Sequence, residues 1–475
     1  MAQIPPDEIQ YSSLSTCDDV GRVFHWRGGI YRGIKAQGTK QVHALFESGC
    51  LNELIERGLF PRYQITDHAL EGFAFVVKHE AIPILTYPHE WSFDMFRDAA
   101  LAALEVGSIA ARYGWSLKDC HPYNVLFYGA RPMFVDLGSF TQTHGRGGLI
   151  VDTAFLNLYW YPLAIWAAGD SFLARRVISC ANEMMSDVSW ALYQHPTLRG
   201  RSRQRINRVM RRRTSLLSRG ANILDYRPSL RRAATSMVNH LPAELLVYRP
   251  ELMRQKIMNL KPPTPASEWH DYQGEYFDGD ERKTTARFNR IVEIIQSLDC
   301  DSVVELAGNR GLLSLLLYEK TSVQSILSTD NDSNATNLFH LDCRSLGAPS
   351  DKIMQSAVLN FMVPELNFYT VPPPDRFRAD IVTALAITHH LILTQNFDVK
   401  EILRTIAGYT RRFALVEFMP LGLWNGETAP PLPEWYTLEW FQQAFKEWFE
   451  LVSVEQVEAN RVLHLGRLRT NSDVV

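Results

Sequence analysis

The sequence predicts a protein of mixed α/β and α+β class in two domains. A bilobal first half precedes a second half built on one mainly parallel sheet with both faces covered. Three observations lead there. From Ser302 to Leu468, short apolar runs alternate with helical ones, the order a parallel sheet with crossover helices requires. Between residues 20 and 113 the order is strand, strand, helix, strand, long helix. Between the halves, residues 227–275 hold Pro228, Pro242, Pro250, Pro262, Pro263 and Pro265, densest at Lys261-Pro-Pro-Thr-Pro265. The expected organisation is therefore a domain over 1–260, with a small lobe at 18–90 and a helical lobe at 91–260, a linker at 261–275 and a second domain at 276–475.

Composition sets the outer limits. A chain of 475 residues with 46% hydrophobic and 21% charged residues can bury ample core and is not disordered in character. The formal net charge of −3 gives no global attraction to nucleic acid or membrane, so any such contact is local. Cys17, Cys50, Cys120, Cys180, Cys300 and Cys343 are scattered with no CxxC pair, which argues against a zinc site or disulfide framework and fits a cytoplasmic location. The N-terminus lacks the regions of a signal peptide. The apolar stretch from Thr153 to Gly169 is short for a membrane span and is read as a buried helix.

In chain order, Arg22–Trp26 and Ile30–Lys35 read as paired strands around Arg27-Gly-Gly. A helix is expected from Lys40 to Arg57, a strand at Gly72–His79 and a long helix from Trp91 to Tyr113. Then come Leu117-Lys-Asp-Cys-His-Pro-Tyr-Asn124 and Pro132-Met-Phe-Val-Asp136. An Asp, an Asn five residues on and a strand-ending Asp twelve further is the spacing phosphoryl transfer uses, with one Asp as base and the Asn and second Asp on Mg²⁺. The stretch resembles the catalytic loop of aminoglycoside-phosphotransferase-like kinases. That resemblance implies a protein-kinase-like bilobal domain, with Asp119 as base, Asn124 and Asp136 as metal ligands and ATP with Mg²⁺ bound. Arg32 or Lys35 would face the nucleotide, partnered by Glu47 or Glu53. The pattern departs from the family in lacking a glycine-rich loop. The bland alternative is a kinase fold kept as scaffold, with Asp119 and Asp136 capping turns.

Nine arginines fall between Arg199 and Arg219. They suit an anionic partner, or else form a solvated basic helix, since no aromatics interleave them.

In the second half, a helix is expected over Thr284–Ser297. The stretch Ser302-Val-Val-Glu-Leu-Ala-Gly-Asn-Arg-Gly-Leu follows as strand, tight turn and helix start, which gathers backbone N–H groups at one spot. Further strands are expected at Gln324–Thr329, Ile353–Phe361, Asp380–Leu385, Arg412–Phe418, Leu451–Glu455 and Arg461–Leu468. Asp330 ends the second strand and is placed to accept ribose hydroxyls, while Asp332 is the alternative or caps the next helix. Asn360 follows the third strand, His389 and His390 the fourth, and Glu417 ends the fifth. Either histidine is a candidate general base or a packed core residue.

The turn resembles motif I of the class I S-adenosylmethionine methyltransferases, in the variant with Asn at the middle glycine. That resemblance implies a Rossmann-like seven-stranded methyltransferase sheet ending in an antiparallel hairpin. It implies S-adenosylmethionine held by Glu305, Ala307, Gly308, Asn309, Gly311 and Asp330, with Asn360 reading the adenine, and chemistry near His389, His390 and Glu417.

Three functions are then open. The first is a bifunctional enzyme that phosphorylates and O-methylates a saccharide or other small hydroxylated acceptor. The second is an RNA, protein or natural-product methyltransferase whose kinase-like domain only recognises the acceptor. The third is a non-enzymatic protein sensing S-adenosylmethionine and nucleotide. The oligomeric state is not legible.

Overall fold

A computed structural model describes the chain except for residues 1, 17, 144–153, 180–188, 191–192, 194–215, 217–218, 222, 225–226, 265–266, 268, 271, 278–281, 348–351, 367–369, 425 and 470–475. Of the Arg199–Arg219 run only Arg219 falls within the described residues, and it is exposed.

The first half opens on a five-stranded antiparallel sheet. Its strands are β1 (Gln10–Tyr11), β2 (Gly21–Trp26), β3 (Gly29–Ile34), β4 (Tyr63–Ile65) and β5 (Phe75–His79), in the order β1-β2-β3-β5-β4. The helix expected over 40–57 is two helices, α1 (Thr39–Glu47) and α2 (Cys50–Glu56), because Gly49 at φ 80° turns the backbone left-handed between them. Helix α3 (Phe93–Arg112) buries its Ala-rich face with Trp91, Phe96 and Phe127 in one core. Two short hairpin ladders follow, which the sequence reading reduced to one strand. They are β6 (Trp115–Leu117) with β9 (Phe140–Gln142), and β7 (Val125–Tyr128) with β8 (Arg131–Phe134).

The second half begins with α4 (Ala286–Gln296), capped by Thr285, whose side chain accepts from the Phe288 N–H. The sheet comprises β10 (Ser302–Leu306), β11 (Ser325–Asp330), β12 (Ile353–Val358), β13 (Ala379–Ala384), β14 (Thr410–Phe418), β15 (Phe449–Glu458) and β16 (Arg461–Leu468). The helices that bear on the site are α5 (Leu312–Lys320), α6 (Ser333–Ser345) and α7 (Thr388–Leu393). The seven strands run in the order β12-β11-β10-β13-β14-β16-β15, with β16 antiparallel to both neighbours and all other pairs parallel except that hairpin. The parallel strands are buried along most of their length because helices cover both faces, and their apolar side chains form two separate cores. The strand order reverses between β10 and β13. A doubly wound sheet opens a crevice at that point, outside its carboxyl edge.

The two halves share a seam held by polar contacts. Ile84 belongs to the core of the second sheet, and Gln355 on edge strand β12 donates to Thr86 Oγ1 at 3.0 Å. Arg376 pairs with Glu90, and both side chains are 3% exposed. Asn337 on α6 exchanges two hydrogen bonds of 2.7 Å with Asp94 on α3. Residues 84–90 thus cover the outer edge of the sheet, which would otherwise present unpaired backbone groups. Among the described residues no helix is long and apolar enough to cross a membrane. Cys50, Cys120, Cys300 and Cys343 are free and buried.

Candidate functional site

The turn after β10 is held by unusual backbone. Ala307 (φ 56°), Asn309 (φ 53°) and Gly311 (φ 70°) are all left-handed within five residues, a conformation that side chains disfavour and that persists only where its surroundings hold it. Two glycines are required by space. A Cβ on Gly308 would lie 2.2 Å from Ser328 Oγ, and one on Gly311 would lie 2.4 Å from the Phe339 ring. The turn therefore sits hard against β11 and α6.

Two acids flank it. Glu305, 4% exposed, accepts from Ser314 Oγ at 2.6 Å and Ser328 Oγ at 3.0 Å, and burial pushes its carboxyl up to about 7. Asp330 takes the Asn309 N–H on one oxygen and the Asp332 N–H on the other, each at 2.8 Å, and burial raises its carboxyl to about 6. Each oxygen keeps a second lone pair for a ligand hydroxyl. Asp332 caps α6, accepting from Asn334 N at 2.8 Å and Ala335 N at 3.1 Å, which is the helix-capping role weighed for it. Asn360 is exposed at the carboxyl end of β12. Its Oδ1 accepts from the Met362 and Val363 N–H groups, so a turn occupies the amide oxygen expected to meet an adenine amino group.

Sequence reasoning missed a strap over this turn. Residues expected as plain linker carry the Trp269 carbonyl, which accepts from Asn309 Nδ2 at 2.6 Å, and Gln273, whose Oε1 accepts from the first amide of α5 at 3.1 Å. The Trp269 ring stands edge-on to His390 at 5.2 Å and lies 5.6 Å from Tyr272. A signal was present in Trp269, Tyr272, Tyr276 and Phe277, which are too aromatic for a free linker.

The fourth and fifth strand ends require corrections. His389 is 6% exposed, and burial, with His390 and Arg461 beside it, pushes its imidazole down to about 3. It is neutral and too weakly basic to take a proton near neutral pH. His390, half-buried, is lowered by burial alone. Glu417 is fully buried and offers no free carboxylate for catalysis. It receives Arg287 at 2.7 and 2.9 Å, Arg461 at 2.8 Å and the Ala386 N–H at 2.8 Å. Its own carbonyl accepts from Thr388 Oγ1 at 2.7 Å. Ala386 is left-handed at φ 50°, so Glu417 fixes the strained turn that carries the two histidines.

In the first half, the predicted residues do converge, around Ser139. Asn124 Nδ2 donates to Asp119 Oδ2 at 3.2 Å and to Ser139 Oγ at 3.3 Å, and Ser139 bonds Asp136. Arg32 rather than Lys35 points inward. Its guanidinium, 5% exposed, bridges Asp18 and Asp136 at 2.8 Å each, while Lys35 donates to the Asp18 carbonyl at 2.7 Å. Despite burial, Arg32 holds the Asp136 carboxyl below its ordinary value. Asp18 is raised by burial, and half-buried His79 is pushed down to about 3 by desolvation with Arg32 facing it. Glu53 does not partner Arg32. It pairs instead with Arg57 and Arg112. Asp136 accepts from Arg32 and the Gly138 N–H on one oxygen and from Ser139 on the other, so the Arg32 guanidinium competes with any cation for that carboxylate. Among the described residues, no group of three or more His, Cys, Asp or Glu side chains is arranged to hold a metal.

No family model matches the chain. The chain is similar to the nodulation protein NoeA of Rhizobium meliloti (strain 1021), 21% identical over 432 residues, covering 85% of this chain and 83% of that protein. Among solved structures, an S-adenosylmethionine-dependent methyltransferase of Clostridium acetobutylicum ATCC 824 is 13% identical with a TM-score of 0.31, covering 43% of this chain and all of that one. Magnesium protoporphyrin IX methyltransferase of Synechocystis PCC 6803, with bound SAH, is 11% identical with a TM-score of 0.30, covering 42% of this chain and 96% of its own.

Proposed function

We propose that this chain is an S-adenosylmethionine-dependent methyltransferase acting on an oxygen of a small-molecule or glycan acceptor. In this reading residues 276–475 bind the methyl donor, and residues 1–260 are a kinase-like scaffold that helps present the acceptor. One observation carries the reading. Asp330, at the end of the strand beside the switch point, is bound to the backbone of the left-handed turn after β10. An acid there accepts the two ribose hydroxyls of a nucleoside.

The residues present fit that ligand. Asn309 Oδ1 is buried at the turn with no hydrogen-bond partner among the described residues, an acceptor waiting for a donor. Asp330 would hold the ribose, and the turn from Ala307 to Gly311 would cradle the amino-acid portion. When bound, the cofactor supplies an electrophilic methyl group. The strap residues Trp269 and Tyr272 would exclude water from it, and the Glu417-anchored turn would hold His390 at the acceptor side. Methyl transfer depends mainly on alignment, so rigid positioning is the chief contribution of the protein.

The scaffold role of the first half is supported by the Arg32 bridge, which ion-pairs the carboxylate that phosphoryl transfer would need for its metal. Isothermal titration with S-adenosylmethionine, and separately with ATP and Mg²⁺, tests both parts. Binding of the first and not the second is expected. ATP turnover that is lost in Asp136→Ala would restore the bifunctional reading, and absence of S-adenosylmethionine binding would end the donor assignment.

A further inference from the structure

The carboxyl edge of the second sheet holds more positive charge than its buried carboxylate can neutralise. Glu417 faces two guanidiniums, Arg287 and Arg461. The remaining acid, Glu458, reaches Arg461 at 2.9 Å, but its side chain is 43% exposed and water screens it. Arg287 is turned fully inward onto Glu417 and is 8% exposed. Arg461 is 16% exposed, and its second terminal nitrogen, Nη2, meets no hydrogen-bond partner among the described residues. Nε is held by Glu458 and Nη1 by Glu417, so Nη2 is the donor of this guanidinium left to meet an oxyanion.

The surroundings of Arg461 narrow the ligand further. The phenol of Tyr272 lies within reach of its charge. Tyr272 and Trp269 are 53% and 45% exposed, unusual for large aromatics standing side by side, and His390 closes the far side against Trp269. The apolar faces are uncharged and flat, and the charge of Arg461 acts on the Tyr272 end of them. We propose that the acceptor is a small anionic molecule, with a carboxylate or phosphate oxygen seated on Arg461 and a flat face laid against Trp269 and Tyr272. This rests on the reading that the same sheet edge binds the methyl donor.

The experiment uses the full-length protein saturated with S-adenosylhomocysteine and compares matched probes by titration. Benzoate is set against benzamide, and phenyl phosphate against phenol. Each anion is expected to bind about tenfold tighter than its neutral twin, or more, the size of one charge-assisted contact. The preference should shrink to about twofold or less in Arg461→Gln and survive in part in Arg461→Lys. Benzoate binding above phenyl phosphate marks a carboxylate acceptor, and the reverse order marks a phosphate. Equal binding of the twins, no binding by any probe, or a preference untouched by Arg461→Gln overturns the proposal. If Arg461→Gln fails to fold, the wild-type twins and Arg461→Lys decide by themselves. Failure of S-adenosylhomocysteine to bind would instead overturn the donor reading, and the acceptor proposal with it.

Discussion

Arg32 and Asp136, 104 residues apart in the chain, meet at 2.8 Å, with Asp18 on the other side of the guanidinium at the same distance. The bridge ties strand β3 to the loop that follows β8. Removing its centre leaves two half-buried carboxylates facing each other. Arg32→Met should therefore cost on the order of 3 kcal/mol, the penalty for breaking a buried pair from one side. Urea unfolding of the purified chain measures it. A loss under about 0.5 kcal/mol would mean that the bridge is a solvated surface pair.

Asp330→Asn is expected to weaken S-adenosylmethionine binding by about tenfold or more with little loss of stability, since the amide keeps the shape and some acceptor capacity but loses the charge. Gly311→Val should do worse and also destabilise, because the backbone is left-handed and the Phe339 ring fills the space. Calorimetric binding and a thermal melt separate the two effects.

Glu305 gives a pH prediction with a definite sign. Its folded carboxyl is raised to about 7 from an ordinary value of 4.5, so the folded state holds the proton more tightly than the unfolded state. Stability from this group is therefore full below 4.5 and falls as pH rises toward 7. Glu305→Gln removes that slope. The stability difference between wild type and Glu305→Gln should shift against wild type by on the order of 2 kcal/mol between pH 4.5 and 7.5, read from urea midpoints. A difference independent of pH would show that the carboxyl is not raised.

Glu417→Gln should destabilise by about 3 kcal/mol, because it leaves Arg287 and Arg461 in excess of negative charge within the sheet edge. Histidine-selective NMR should also show the His389 and His390 signals moving, since the Ala386 turn loses a charge-assisted anchor. Unmoved histidine signals would separate the ion cluster from the site.

Scanning calorimetry of the whole chain should give a single cooperative transition. Ile84 lies inside the core of the second sheet, and the Arg376–Glu90 pair is buried between the halves, so neither half can melt while leaving the other intact. Two well-resolved transitions would contradict a shared core.

The sequence by itself determined the strands of the second sheet and the tight turn after the first of them. Parallel strands buried on both faces are mostly apolar, and that pattern needs no partner to be read. Glu305, Asp330 and the glycines were legible for the same reason, as they lie at strand ends and in a turn only small residues can make. The strap was not, because Trp269 and Gln273 act through a carbonyl and a side-chain amide on residues some forty positions away. The fates of Glu417, Asp136 and His389 were also hidden. An acid at a strand end reads as available until one knows which cations fold against it. Arg287 lies 130 residues from Glu417, Arg32 lies 104 from Asp136, and only the tertiary structure brings them together. Local chemistry is written in spacing, but whether a charged group is free to act depends on burial and on partners that long-range packing supplies.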